Sequence, residues 1–150
     1  MRAQSDIEYV TVTVGAQMFG LPIGRVQDVF VPERLTRVPL APQEIAGLIN
    51  LRGRMVTLID MRRRLDLAPR DPGTRLMAVG VEQRGESYGL LVDAVGEVLK
   101  LSAESRDSNP LNLDPCWSRV AAGVHRLEDR LLVVLDVDKV LDVKVDALAA

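Results

Sequence analysis

The chain has 150 residues, 47% hydrophobic and 27% charged, with 19 basic against 21 acidic side chains and a formal net charge of −2. That balance suits a folded protein of one ordinary domain or two very small ones, and it excludes a basic field for holding nucleic acid. One cysteine (Cys116) and one histidine (His125) exclude an internal disulfide and a His-rich metal site, and 3% aromatic residues leave little to stack bases or line an aromatic cofactor pocket.

Residues 7–14 place Val10, Val12 and Val14 on one face at period two, which predicts a strand. Gly15 marks a turn, and Gln17–Ile23 follows as the second strand of a hairpin. Val26–Val31 reads as a third strand. Gly47–Gly53 forms a tight hairpin leading into Met55–Ile59, a nearly continuous apolar run that suits a strand buried on both faces. Asp60 suits the N-cap of a short helical stretch closing on Leu65. The same order then returns as Leu76–Val81, a glycine turn at Gly85, Ser87–Val92 and Val95–Leu101. The polar, proline-containing stretch Ser102–Pro115 reads as a loop, followed by the strand-like Gly123–Leu127 and Leu131–Leu135. Asp136 is a second N-cap before a stretch closing on Leu141, and Asp142–Ala150 reads as an extension of that helix or a frayed end. No apolar run approaches the roughly 18 residues needed to span a bilayer, and MRAQSDIEYV lacks the hydrophobic segment of a signal peptide. A cytoplasmic protein without direct membrane insertion is expected.

The recurrence is a duplication. Phe19-Gly20-Leu21-Pro22-Ile23 aligns with Tyr88-Gly89-Leu90-Leu91-Val92, and the pairing continues without a gap through Val26 with Val95, Asp28 with Glu97 and Val29 with Val98. A second block pairs Gly47 with Gly123, Leu51 with Leu127, Arg54 with Arg130, Leu58-Ile59-Asp60 with Val134-Leu135-Asp136, and Leu65 with Leu141. The wider spacing of the blocks in the second copy places an insertion in Ser102–Pro115. The period is too long for a solenoid. Short strands separated by glycine turns predict an all-β fold of small barrels or a sandwich, with short helices.

Candidate chemistry is sparse. Asp60 and Asp136 could pair as catalytic carboxylates, but two N-caps in duplicated units explain their spacing better. His125 reads as a hydrogen-bonded structural group, and Cys116 beside Trp117 as a small apolar residue in a loop that packs down. The sequence shows no nucleophile motif, glycine-rich phosphate loop, metal-ligand cluster or dinucleotide fingerprint, so no catalytic, cofactor or metal residue is assigned. Arg62-Arg63-Arg64 reads as a solvated helical face rather than a patch for an acidic partner. Asn50 and Arg52 differ from these, because the second copy keeps the apolar frame but replaces Asn50, Arg52 and Gly53 by Arg126, Glu128 and Asp129. Polar residues that one copy has and the other lacks are not demanded by the shared fold. An arginine in a tight hairpin presents a donor fork suited to a partner's carboxylate or backbone carbonyls; a solvated arginine in a surface turn is the alternative.

Phe19–Val29, Gly47–Gly53 and Val56–Arg62 together resemble the CheW family of chemotaxis coupling proteins, over about residues 7–143. Asn50-Leu51-Arg52-Gly53, followed by a hydrophobic strand and Asp60-Met61-Arg62, carries most of the likeness, and Leu131–Leu141 matches the family's closing strand and helix. The resemblance implies one domain over residues 1–150, made of two five-stranded SH3-like β-barrels about a shared hydrophobic core. The first barrel is expected at about residues 7–70 and the second at about 75–143, with strand exchange at the ends left open. No catalytic activity and no cofactor are implied. The implied partners are the cytoplasmic tip of methyl-accepting chemoreceptors and the regulatory domain of the CheA-type histidine kinase, joined with the adaptor into rings that support receptor arrays. By position, Asn50, Arg52, Val26 and Val98 fall on or near receptor-facing surface, and Asp28, Leu35 and Gly47 near kinase or receptor contacts of the first barrel. Thr57 stands where the family often has proline and Leu65 where phenylalanine is usual; both are framework positions. With no phosphotransfer, ATP-binding or receiver segment in the sequence, the stand-alone adaptor is expected. Two rivals stay open: an adaptor of a non-flagellar chemosensory pathway governing surface motility or development, and a small enzyme using Asp60 and Asp136.

Overall fold

Valine, isoleucine and leucine in short runs between glycine turns favour strands, because branched side chains pack well on a pleated surface. The computed structural model describes residues 6–33, 36, 39–69, 73, 75–110 and 112–142. Among them, the first copy contains β1 (Asp6–Val14), β2 (Gln17–Pro22), β3 (Val26–Phe30), β4 (Ile45–Leu51), β5 (Arg54–Asp60) and α1 (Met61–Arg64). The second contains β6 (Met77–Gln83), β7 (Glu86–Val92), β8 (Ala94–Ser102), β9 (Arg106–Asp107), α2 (Pro115–Ser118), β10 (Ala121–Arg126), β11 (Leu131–Leu135) and α3 (Val137–Val140). Asp60 and Asp136 cap α1 and α3 as expected, their carboxylates accepting the Arg62 N–H at 3.0 Å and the Lys139 N–H at 3.2 Å.

Two readings change. Ser102–Pro115 is not plain loop: it holds a 3-10 turn (Ala103–Ser105) and β9, which pairs with β10 through Asp107↔Val124. The first copy makes the corresponding link as a single bridge, Thr36↔Leu48. Cys116 and Trp117 lie in α2 rather than a loop, because the Asp114 carboxylate accepts the Cys116 N–H at 2.8 Å and Pro115 presets the first turn. The last helix stops at Val140; Asp142 lies beyond it, and residues 143–150 fall outside the described residues.

The strands form two sheets, β3-β6-β7-β5-β4 and β8-β1-β2-β11-β10-β9, which make up the first and second SH3-like barrels. Each sheet mixes the copies. The first barrel takes the β6–β7 hairpin from the second copy, and the second takes β1–β2 from the first. Residues 7–70 and 75–143 are thus the two copies of the repeat, whereas each barrel draws strands from both. Four pairings join the copies: antiparallel β3 with β6 and β1 with β8, and parallel β5 with β7 (Val56↔Ser87 to Asp60↔Leu91) and β11 with β2 (Leu132↔Met18 to Val134↔Gly20). The two parallel pairings are equivalent in the repeat: Leu58 faces Gly89 as Val134 faces Gly20.

Three apolar clusters result. Ile49, Val56, Leu58, Ala78 and Leu91 fill the first barrel, while Tyr9, Leu132 and Val134 fill the second. The largest lies between the sheets and draws on both copies, with Val12, Phe19 and Leu21 meeting Val79, Leu90, Val133 and Leu135. β11 is buried on both faces, as its apolar run suggested. β5 is so only in part, since Thr57 is half-buried and Met55, beside the hairpin turn, is 57% exposed. Trp117 packs edge-on against Phe19, ring centroids 5.3 Å apart, and its Nε1–H donates to the Leu65 carbonyl at 3.1 Å.

A core common to both barrels should make them unfold together. Phe19→Ala is expected to cost about 3–5 kcal/mol and to shift a single urea transition, with tryptophan fluorescence and far-ultraviolet circular dichroism still coincident. Two separated transitions would contradict the shared core.

Candidate interaction surface

The β4–β5 hairpin pairs Leu51 with Arg54, leaving Arg52-Gly53 as a two-residue turn. Their φ angles are +54° and +83°, the left-handed pair of a type I′ turn. Asn50 Oδ1 accepts the Gly53 N–H at 2.9 Å and holds the turn in place. An arginine there is not unusual in this chain, because Arg84-Gly85 closes β6–β7 with φ angles of +52° and +82°. Its neighbours set Arg52 apart. With Asp28, Phe30, Leu51, Arg54 and Gly80 it lines a recess of about 90 Å³ at the end of the first barrel. Asp28 lies over Gly80, where an added Cβ would land on Asp28 Oδ1, so the glycine makes room for the carboxylate. The equivalent of Gly80 in the second barrel is Thr11, whose hydroxyl donates to the Glu97 carbonyl at 2.6 Å. A carboxylate folded over the sheet beside an arginine turn is thus peculiar to the first barrel.

A second feature is apolar. Val26 pairs with Val81 and Val29 with Val79; Val95 pairs with Val12 and Val98 with Val10. Directly paired residues share a face, and Val79, Val81 and Val12 belong to the cluster between the sheets. Val26 and Val95 pack against that cluster, so β3 and β8 border it, and Val29 and Val98 emerge along its margin at 42% and 47% exposure. Val31 continues the margin at 46%. Of these, Val26 and Val98 were singled out from the sequence. Val29 was missed, although the repeat alignment already paired it with Val98.

The other candidates fall elsewhere. Gly47 is buried at the bulge of β4 against β5, with φ +155°, so it shapes the strand rather than offering surface. Its equivalent Gly123 (φ +146°) sits at the matching bulge of β10, where a Cβ would come within 2.7 Å of the Asp107 carbonyl. Leu35 lies outside the described residues. The arginine run is not a uniformly solvated face. Arg62 forms a two-pronged ion pair with Asp93, at 3.1 and 2.8 Å, and Arg64 donates to the Val140 and Lys139 carbonyls at the end of α3, at 3.0 and 2.8 Å. These partners come from the other copy, which local sequence does not reveal.

His125 is buried, with both ring nitrogens engaged. The Ser105 hydroxyl donates to the Ser102 carbonyl at 2.8 Å, so it accepts from Nδ1–H at 3.0 Å; Nε2 then accepts the Tyr9 O–H at 3.1 Å. Burial, and next the Arg106 guanidinium, hold the imidazole below its ordinary value, while burial pushes the Tyr9 phenol up. The network ties β1, β10 and the 3-10 turn of the second barrel together.

The sequence matches the CheW-like domain over residues 8–145. It is 30% identical to the chemotaxis protein CheW of Klebsiella aerogenes over 136 residues, covering 89% of this chain and 81% of that one. It is 29% identical to the chemotaxis protein CheW of Rhizobium meliloti over 133 residues, covering 89% and 86%. The fold is similar to the crystal structure of the scaffolding protein TtCheW from Thermoanaerobacter tengcongensis, with a TM-score of 0.82 at 26% identity over 92% of this chain and 94% of that one.

Two outcomes follow from the geometry. Arg52→Gly should raise stability by about 1 kcal/mol, because a side chain in the left-handed region carries roughly that strain; thermal unfolding measures it, and a loss instead would mean the arginine is needed by the fold. His125 has a lowered value in the fold, so unfolded chains take up its proton first. The stability it contributes is complete above its ordinary value of 6.5 and is lost as pH falls below that toward the lowered folded value. The urea midpoint of the parent should therefore fall more steeply than that of His125→Gln over this window.

Proposed function

The chain belongs to the CheW-like domain family of chemotaxis scaffold proteins, and from this premise we propose that it couples the cytoplasmic tips of methyl-accepting chemoreceptors to the regulatory domain of a CheA-type histidine kinase. The observation that supports this coupling most directly is the pair of unlike surfaces on one body. Exposed valines on β3 and β8 border the cluster between the sheets, an apolar margin suited to the apolar face of a receptor helix. The Arg52 turn and the Asp28 recess at the end of the first barrel present charge held in place by backbone geometry.

In this reading Val26, Val98, Asn50 and Arg52 face the receptor, with Val29 and Val31 added to the apolar part. Asp28 and Leu35 contribute kinase or receptor contacts, and Gly47 acts through the bend it gives β4. The protein works in the cytoplasm and carries out no reaction of its own. Among the described residues no helix is long and apolar enough to cross a membrane. The Asp60 and Asp136 carboxylates serve as helix caps, and both His125 nitrogens are bonded inside the second barrel. Signal passes because receptor, adaptor and kinase share one assembly, in which modest contacts gain strength from repetition.

The test is calorimetric titration with a receptor-tip fragment. Val98→Glu and Arg52→Glu should each weaken binding about tenfold or more, as expected for a charge forced into an apolar contact or a reversed donor. Asp60→Asn with Asp136→Asn should leave partner binding largely intact once folding is verified. Unchanged receptor affinity in both Val98→Glu and Arg52→Glu would overturn the assignment of these surfaces.

A further inference from the structure

Each parallel seam between the copies ends in an ion pair, and the two pairs have opposite polarity. Beyond the β5/β7 seam, Arg62 in α1 donates to Asp93, just past β7, through Nε at 3.1 Å and Nη2 at 2.8 Å. The same carboxylate accepts the Gly15 N–H from the β1–β2 turn at 2.7 Å. Beyond the β11/β2 seam, Asp138 in α3 accepts from Arg25, just past β2, at 2.9 Å, and from Gln83 at the end of β6 at 3.1 Å. Arg62 and Asp138 are equivalent in the repeat, and Arg25 stands one place after Gly24, the equivalent of Asp93. The helix is thus the positive member in one copy and the negative member in the other. In both joints the carboxylate also holds the neighbouring hairpin.

The apolar frame of the seams cannot tell the copies apart. Val56, Leu58 and Ile59 of β5 correspond to Leu132, Val134 and Leu135 of β11. Phe19, Gly20 and Leu21 of β2 correspond to Tyr88, Gly89 and Leu90 of β7. On shape and hydrophobicity alone, β5 of one molecule could lie along β2 of another, or β11 along β7. Charge opposes both. In the first arrangement Arg62 would meet Arg25, and in the second Asp138 would meet Asp93. Like charges in close contact disfavour a pairing by about as much as unlike charges favour it.

We propose that these two ion pairs form a charge code that directs each half of the chain to the other half and rejects like-with-like pairing between molecules. The code acts during folding, before the exchanged hairpins are covered. The Arg62–Asp93 pair carries the larger part, with side chains only 22% and 16% exposed, against 34% and 61% for Arg25–Asp138.

Four full-length chains test it: the parent, Arg25→Asp/Asp138→Arg, Arg62→Asp/Asp93→Arg, and the fourfold combination. Each double exchange keeps attraction within the chain but gives both helices one sign and both strand ends the other, so like-with-like pairing becomes attractive. The fourfold exchange restores opposite polarity. Each chain is refolded from urea at high concentration and passed over size exclusion with light scattering, with a never-unfolded sample of each as the baseline. The oligomeric fraction gained on refolding should rise roughly fivefold in either double exchange, about the factor one half-exposed ion pair contributes to an equilibrium, and return to the parent's level in the fourfold chain. If Arg62→Asp/Asp93→Arg does not fold, Arg25→Asp/Asp138→Arg against the parent decides alone. A double exchange that refolds with the parent's oligomeric fraction overturns the proposal. So does a fourfold chain as oligomeric as the doubles, since that marks local damage rather than a lost code.

Discussion

β11 is apolar on both sides, and β5 is so along its inner half, so neither strand can close its barrel with only one face covered. The parallel pairings of β5 with β7 and β11 with β2 meet this requirement by giving each barrel the other copy's hairpin. The remaining architecture depends on that exchange. It creates the cluster between the sheets, in which Phe19 and Leu21 of one copy pack with Leu90, Val133 and Leu135 of the other. It also sets where the helix ends go. Arg64 of α1 donates to carbonyls ending α3, while Trp117 and Cys116 of α2 donate to the Leu65 and Arg64 carbonyls ending α1. Backbone acceptors left over at one copy's helix terminus are satisfied by side chains of the other.

A duplicated scaffold becomes useful to an adaptor where its copies stop being alike. The shared frame keeps Val29 and Val98 equivalent, one on each border of the cluster between the sheets. The hairpin tips and barrel ends diverge. Asn50, Arg52 and Asp28 mark the first barrel, whereas the second has Arg126, Glu128 and a Thr11 hydroxyl bonded to backbone. One body then carries an apolar margin drawn from both copies and a charged end drawn from one, which suits a protein with two different partners.

The sequence made the strands and caps legible because they follow from local rules. Period two placed β1, glycine turns bounded β2 and β7, and aspartate after an apolar run announced α1 and α3. The repeat itself was visible because both copies keep the same frame around Gly20 and Gly89, and around Gly47 and Gly123. What stayed hidden depends on partners distant in the chain. β9 is two residues long and exists through its register with β10. Arg62 looks solvated until Asp93 is brought against it. Met55 reads as core by composition, yet it sits exposed beside a hairpin turn. The barrels' mixed parentage cannot be read from a periodicity that both copies share. Asn50 and Arg52 stand out because the copies differ there, whereas Val29 agrees with its equivalent Val98 and its exposure follows only from its place at the edge of the fold.

The proposed joining of a kinase to receptors by this body can be checked by calorimetric titration against the regulatory domain of the CheA-type kinase from the same genome. Saturable binding near one to one, retained in the presence of a receptor-tip fragment, is the predicted result. No heat and no co-elution from a demonstrably folded sample would contradict it, leaving the family fold without the family's partner.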